Sequence, residues 1–324
     1  MAQVSNTFDS YDSVGNREDL SDVIYDISPV DTPFMSNIGR TKATNTLHEW
    51  QVDSLAAHSA DNSVIEGDDA TNDAVSATSR YKNYTQISDK VVVVSGTQEV
   101  INKAGRKSEV AYQVAKRGRE LKRDMEARLT CQQGAIVGNS TLAQECAGLE
   151  TFLSQNINTH GSGGATDDGW RTTPGYPDND VTDGTQVAFT ETMLKANMQA
   201  TYTAGGNPDC LMVGPYNKRV VSGFSGIATL YRDQKKVGPA QIIGAADIYV
   251  SDFGELQVVP NRFQRDRTAF FLDKQYWAVA YLRPFQVKPL SRTGDAEKRQ
   301  MLVEYTLEAR NPEASAKSPD LSTS

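Results

Sequence analysis

Residues 47–79 contain no Lys or Arg but carry seven acids: Glu49, Asp53, Asp61, Glu66, Asp68, Asp69 and Asp73. Between residues 54 and 78 the composition is mainly Asp, Asn, Ser, Ala and Gly. Such a stretch buries too little apolar surface to offset the conformational entropy lost when it is ordered. It is flanked by alternating segments. "EWQVD" at 49–53 sets Trp50 and Val52 on one face, and "RYKNYTQIS" at 80–88 alternates through Tyr81, Thr85 and Ile87. The pattern predicts two strands joined by a long acidic excursion, ordered from outside or not at all.

Residues 103–128 have the opposite balance. Nine basic residues (Lys103, Arg106, Lys107, Lys116, Arg117, Arg119, Lys122, Arg123, Arg128) face four acids (Glu109, Glu120, Asp124, Glu126), a surplus of five. Gly105 and Ser108 mark a helix start. Val110, Val114, Leu121, Met125 and Leu129 then trace a narrow apolar stripe, predicting a helix over 108–133 about 40 Å long. One buried stripe this thin leaves charged flanks to meet something polar or another chain. The two charged runs are candidate partners, with solvation of each as the alternative.

Elsewhere, residues 1–45 are polar and interrupted by "SPVDTPF", which suits an arm better than a core element. "KVVVVSG" at 90–96 reads as a buried strand. Residues 154–186, rich in Gly, Asp and Thr, form an irregular insertion. "ETMLKANMQATYTAGG" predicts a helix ending at Gly205, "DCLMVG" a short buried strand and "YNKRVVSGF" a helical turn or two. "ADIYVSD", "LQVVPN", "RTAFFLD" and "WAVAYLRPFQVKPL" follow as strands. "MLVEYTLEAR" is the final one, with Leu302, Glu304, Thr306 and Glu308 on one face and Val303, Tyr305, Leu307 and Ala309 on the other.

Chemistry is sparse. Gly161, Gly163 and Gly164 lack the flanking strand and helix of a phosphate loop, and Arg106 stands where a Walker motif needs glycine. Counted from Asp61, an EF-hand would have Asn72 at its twelfth position and Gly67 one place late. His48, His58 and His160 lack metal-helix spacing and read as lone surface residues; no nucleophile motif occurs. Cys131, Cys146 and Cys210 form no CxxC pair and read as small buried hydrophobes. No cofactor, metal or catalytic residue is expected. Tyr276, Trp277 and Tyr281 read as sheet core, not as a base-stacking platform. The longest apolar run, 277–282, falls far short of a membrane span, and a net charge of −8 argues against a generic nucleic-acid binder. The expectation is a soluble, unexported protein.

The order of these parts, with "DTPFMSNIGR", "HEWQVDSL", "YVSDFGELQVVPNR" and "YLRPFQVKPLSRTGDAEKRQMLVEYTLEARN", resembles the major capsid proteins of tailed bacteriophages, specifically the SU-type phage major head protein family. The resemblance implies an α+β, Hong Kong 97-like capsid fold. It implies an N-terminal arm at 1–45, an extended acidic hairpin loop at 46–95 and a peripheral domain with the spine helix at 96–140. An axial domain at 141–280 and a return to the peripheral domain, with a C-terminal strand and tail, at 281–324 complete it. The implied function is structural: self-assembly through pentamers and hexamers into an icosahedral head around double-stranded DNA, in a virion assembled in the host cytoplasm. Implied partners are further copies of the chain, a portal protein, a scaffold or decoration protein, and non-specifically contacted DNA, with no membrane. The resemblance lays the acidic hairpin on a neighbouring subunit's basic helix, with Asp61, Glu66, Asp68, Asp69 and Asp73 facing Lys116, Arg119, Lys122 and Arg123. The alternative is an encapsulin-like nanocompartment shell that encloses a cargo enzyme.

Overall fold

The computed structural model describes residues 31–69, 72–75, 77–103, 105–157, 168–224 and 248–323. Residues 1–30 of the expected arm, residues 158–167 of the irregular insertion, and with them His160 and the three glycines, lie outside the described residues.

Three sheets organise the rest. A four-stranded sheet runs in the order β1 (Gly39–Lys42), β9 (Trp277–Pro289), β10 (Ala296–Ala309), β4 (Gln86–Ser95). β1 is parallel to β9, whereas β10 is antiparallel to both its neighbours. A five-stranded sheet runs β11 (Ala316–Ser318), β8 (Ala269–Leu272), β5 (Cys210–Val213), β7 (Gly254–Pro260), β6 (Ile248–Ser251). The remaining two, β2 (Leu47–Val52) and β3 (Ser79–Tyr84), pair only with each other.

The continuous apolar runs of β5 and β8 are buried on both faces because each face meets a different core. Cys210, Met212, Phe270 and Leu272 point into a cluster that extends to the four-stranded sheet. Leu211, Val213 and Phe271 point into a second cluster under helices α5 (Glu191–Thr203) and α6 (Pro215–Ser222). Helix α5 begins at Thr190, whose side chain accepts the Met193 N–H, and ends before Gly205, where φ is +88°. The short helices α1 (Pro33–Asn37) and α4 (Leu149–Phe152) bury side chains in the core, and α2 (Gly96–Val100) lies at the surface after β4.

The charged helix is α3 (Glu109–Leu129), capped as expected by Ser108, whose hydroxyl accepts the Ala111 N–H. It ends four residues earlier than its periodicity predicts, at Thr130, whose hydroxyl back-bonds to the Glu126 carbonyl, so the rod is about 32 Å long. Leu121, Met125 and Leu129 are fully buried against the four-stranded sheet.

Several expectations need correction. The stretch 80–88 is two strands, because the chain changes sheets at Thr85: its N–H donates to the Thr46 carbonyl and its hydroxyl to Glu304. β4 is buried on one face only. As an edge strand it packs Val92 and Val94 inward, while Val91 and Val93 stay 46% and 57% exposed. β10 is not the last strand; the chain crosses to the five-stranded sheet and adds β11. The face of β10 with Glu304, Thr306 and Glu308 is buried, with Thr85 donating to Glu304 and His48 of β2 to Glu308. His48 is therefore no lone surface residue. The cysteines are free thiols, and burial pushes Cys146 and Cys210 up to about 12.

Candidate assembly interface

The acidic excursion is a hairpin rooted in the core. Register pairs Val52 with Ser79, which centres the turn between residues 65 and 66, and the Asp68 N–H donates to the Ile65 carbonyl at 3.1 Å. Gly67, at φ +84°, occupies the position where such a turn needs glycine. Below the turn, β2 and β3 lie on β10 through specific donors. Trp50 Nε1 reaches the Ala309 carbonyl at 2.7 Å, and Asn83 Nδ2 reaches the Leu307 carbonyl at 2.9 Å. The Glu308 carboxylate accepts from Thr41 Oγ1 at 2.7 Å, Arg310 Nε at 2.9 Å and His48 Nε2 at 3.1 Å. Burial alone would raise the Glu308 pKa, but these hydrogen bonds outweigh it and hold the group at about 2.

Beyond the root no described residue covers the hairpin. Asp61, Glu66, Asp68, Asp69 and Asp73 are all exposed, and none pairs with a cation among the described residues. Val64 and Ile65 at the tip are 89% and 78% exposed.

Helix α3 is the electrostatic counterpart. Lys116, Arg119 and Lys122 are exposed at three-residue spacing, so they share one face, and Arg123 stands beside them over the Phe263 ring. The two lysines make no ion pair among the described residues. Within the chain Arg106 of the run pairs with Glu109, Arg117 with Glu120, and Arg128 with both Glu145 and the Cys146 carbonyl, while Lys90 on β4 takes Asp124 at 2.6 Å. Four cations of the run, Lys116, Arg119, Lys122 and Arg123, stand together on the 116–123 face. The fold does not bring the hairpin acids onto that face within one chain; the two runs remain separate surfaces.

A third feature escaped the sequence reading. Glu126, buried on α3, accepts the backbone N–H groups of Phe34 at 2.7 Å and Met35 at 3.0 Å, and the Asn261 amide at 2.8 Å. It caps α1 from 92 residues away, a role that Thr32 leaves open. Burial pushes its pKa up, and the three donors pull it back. Only the charge count hinted at this group, and it gave no partner.

Two clefts flank the N-terminal half of α3. One, of about 430 Å³, lies between Val110, Val114 and Val287; the other, of about 460 Å³, is lined by residues 91–95, Gln113 and Arg117. What these surfaces offer is complementary charge. Among the described residues no helix is long and apolar enough to cross a membrane.

Comparison with known proteins places the chain in a family. The family described as SU10 major capsid protein matches residues 3–322. The chain belongs to that family. It is a major capsid protein of a tailed phage. The major capsid protein of Escherichia phage Phieco32 is 29% identical over 337 residues, covering 95% of each chain. Among solved structures, the capsid asymmetric unit of cyanophage A-1(L) superposes with a TM-score of 0.65 at 13% identity, covering 94% of this chain and 97% of that one. Gordonia phage Cozz gives 0.60 at 12% identity, covering 99% and 98%. At these identities the superpositions establish the mixed α+β capsid fold. These findings favour the phage shell over the nanocompartment alternative.

Proposed function

We propose that this capsid protein assembles through pentamers and hexamers into an icosahedral head around double-stranded DNA, each acidic hairpin lying across helix α3 of a neighbouring copy. The observation that carries this reading is the hairpin itself: five exposed acids on a rooted arm, with no cation paired to them among the described residues. The basic face at Lys116, Arg119, Lys122 and Arg123 is its complement in charge. The conformational entropy that keeps such a loop from ordering alone is offset when it docks on assembly.

In this reading the arm occupies residues 1–45, the hairpin 46–95, the peripheral domain 96–140 with a return at 281–324, and the axial domain 141–280. The role is structural and not catalytic. A portal protein, a scaffold or decoration protein, and non-specifically held DNA complete the set of partners, and the virion is the destination after assembly in the host cytoplasm.

Charge reversal of Asp68, Asp69 and Asp73 to Lys, followed by sedimentation velocity and negative-stain microscopy, tests the pairing. The expected outcome is a folded subunit that no longer forms shells. Unchanged shell formation would remove the pairing.

A further inference from the structure

The apolar stripe of α3 is covered along only half its length. Leu121, Met125 and Leu129 are at most 1% exposed, whereas Val110 and Val114 on the same stripe remain half-buried. Opposite them Val287 of β9 is 47% exposed, and a cleft of about 430 Å³ separates the two walls. A stripe that continues past the edge of its own core is suited to a partner outside the chain.

The hairpin tip has the complementary oddity. Its turn begins with Val64 and Ile65, the positions most remote from the β2–β3 root by register, and both are largely exposed. Each leg holds about a dozen residues, so the tip reaches up to about 40 Å from the root. Acids surround the pair: Asp61 and Glu66, Asp68 and Asp69. The cleft runs beside a helix that carries Lys116 and Lys122, which make no ion pair among the described residues, and its own acids are engaged. Glu99 accepts the Glu109 and Val110 N–H groups at 2.8 and 3.2 Å, and Glu297 pairs with Arg299.

Resting on the reading that the hairpin meets a neighbour's α3, we propose that the tip residues Val64 and Ile65 of one copy insert into the Val110–Val114–Val287 cleft of the next. The acids then set the direction of approach along the helix, and the tip supplies the anchor. Apolar contact in a desolvated pocket holds better than exposed ion pairs, which salt screens.

Cysteine cross-linking in shells of the full chain tests this. Ile65→Cys with Val287→Cys probes the cleft, Asp68→Cys with Lys116→Cys probes the helix face, and Ile65→Cys with Val93→Cys probes the open face of the sheet. All five positions are exposed, so the subunit fold is left intact; each single variant serves as a control against Cys131. Oxidation with copper phenanthroline is expected to link copies through 65–287 and 68–116, with most subunits in reducible multimers, and to leave 65–93 unlinked. Linking through 68–116 alone, or through 65–93 in place of 65–287, overturns the cleft as the seat and leaves the hairpin-to-helix reading standing. No linkage at either 65–287 or 68–116 in intact shells overturns both.

Discussion

The hairpin loop at 53–78 and the chain end at 310–323 are both irregular and rich in polar groups, yet they have opposite fates. Along the loop even Leu55 and Val75 are almost completely exposed, at 100% and 98%. In the chain end, Lys317 is fully buried and Asp320 is 6% exposed. Polarity does not separate the two; the presence of partners in the same chain does. Asp320 accepts from Arg267 at 2.6 Å and from the Gly184 N–H at 2.9 Å. Ser315 accepts from Trp277 Nε1 at 3.0 Å, Ser318 accepts from Asn197, and Lys317 donates to the Glu150 carbonyl at 2.9 Å. Buried polar groups are tolerable when each is met this way. Among the described residues the loop acids have no such counterpart.

The largest contrast comes from removing each segment. Truncation after Asn311 deletes β11 and the partners of Asn197, Arg267 and Trp277, and is expected to abolish the cooperative urea transition. Replacing residues 54–78 with Asn-Gly is expected to leave that transition within about 1 kcal/mol of the parent, since a short turn suits the paired strands. Comparable destabilisation by the two changes would erase the distinction.

Next in size is the hairpin root. Glu308→Ala leaves His48, Thr41 and Arg310 unmet and is expected to cost about 3 kcal/mol in urea unfolding. The carboxyl sits at about 2 when folded, against 4.5 for an unperturbed group. Its contribution is therefore complete above the unfolded value and is lost as pH falls from 4.5 toward 2. Acid titration of the unfolding midpoint should show that loss in the parent and not in the variant.

A smaller effect is expected at the chain end. Burial lowers the Lys317 pKa to about 8 from 10.5, so the unfolded chain holds this proton more tightly and stability attributable to Lys317 rises with pH between those values. The buried thiols act oppositely at higher pH, since they ionise on unfolding. Comparison of parent and Lys317→Met across pH 8–9 isolates the lysine, with a shallower rise expected in the variant.

These contrasts also mark what the sequence discloses. Helix α3 was legible because a cap at Ser108 and an apolar period of about 3.6 are local signals. The hairpin was legible because alternation brackets a run with nothing to bury, and β5 and β8 were legible as short apolar runs. What escaped depends on distant partners. Glu126 finds α1 across 92 residues, Thr85 finds Glu304 across 219, and Lys317 finds Glu150 across 167. The open face of β4 was missed for the same reason: four consecutive valines read as buried, and only the packing of the sheet, which covers one face of β4, leaves the two on the other face exposed. For the proposed interface, both charged runs were readable from composition, but the half-covered stripe at Val110 and Val114 was not, because its missing wall belongs to β9.

The smallest expected effect on stability and the largest on assembly fall on the same residues. Asp61, Glu66, Asp68, Asp69 and Asp73 are exposed and unpaired among the described residues, so their reversal to Lys is expected to change subunit stability by less than about 0.5 kcal/mol. The most direct measurement is a charge swap read by sedimentation velocity and electron microscopy: reversed hairpin acids alone, then combined with Lys116, Arg119, Lys122 and Arg123 all changed to Glu. Hairpin-to-helix pairing predicts no shells from the first variant and restored shells from the combination. Shells from the hairpin variant alone, or none from the combination while its subunit remains folded, would contradict it.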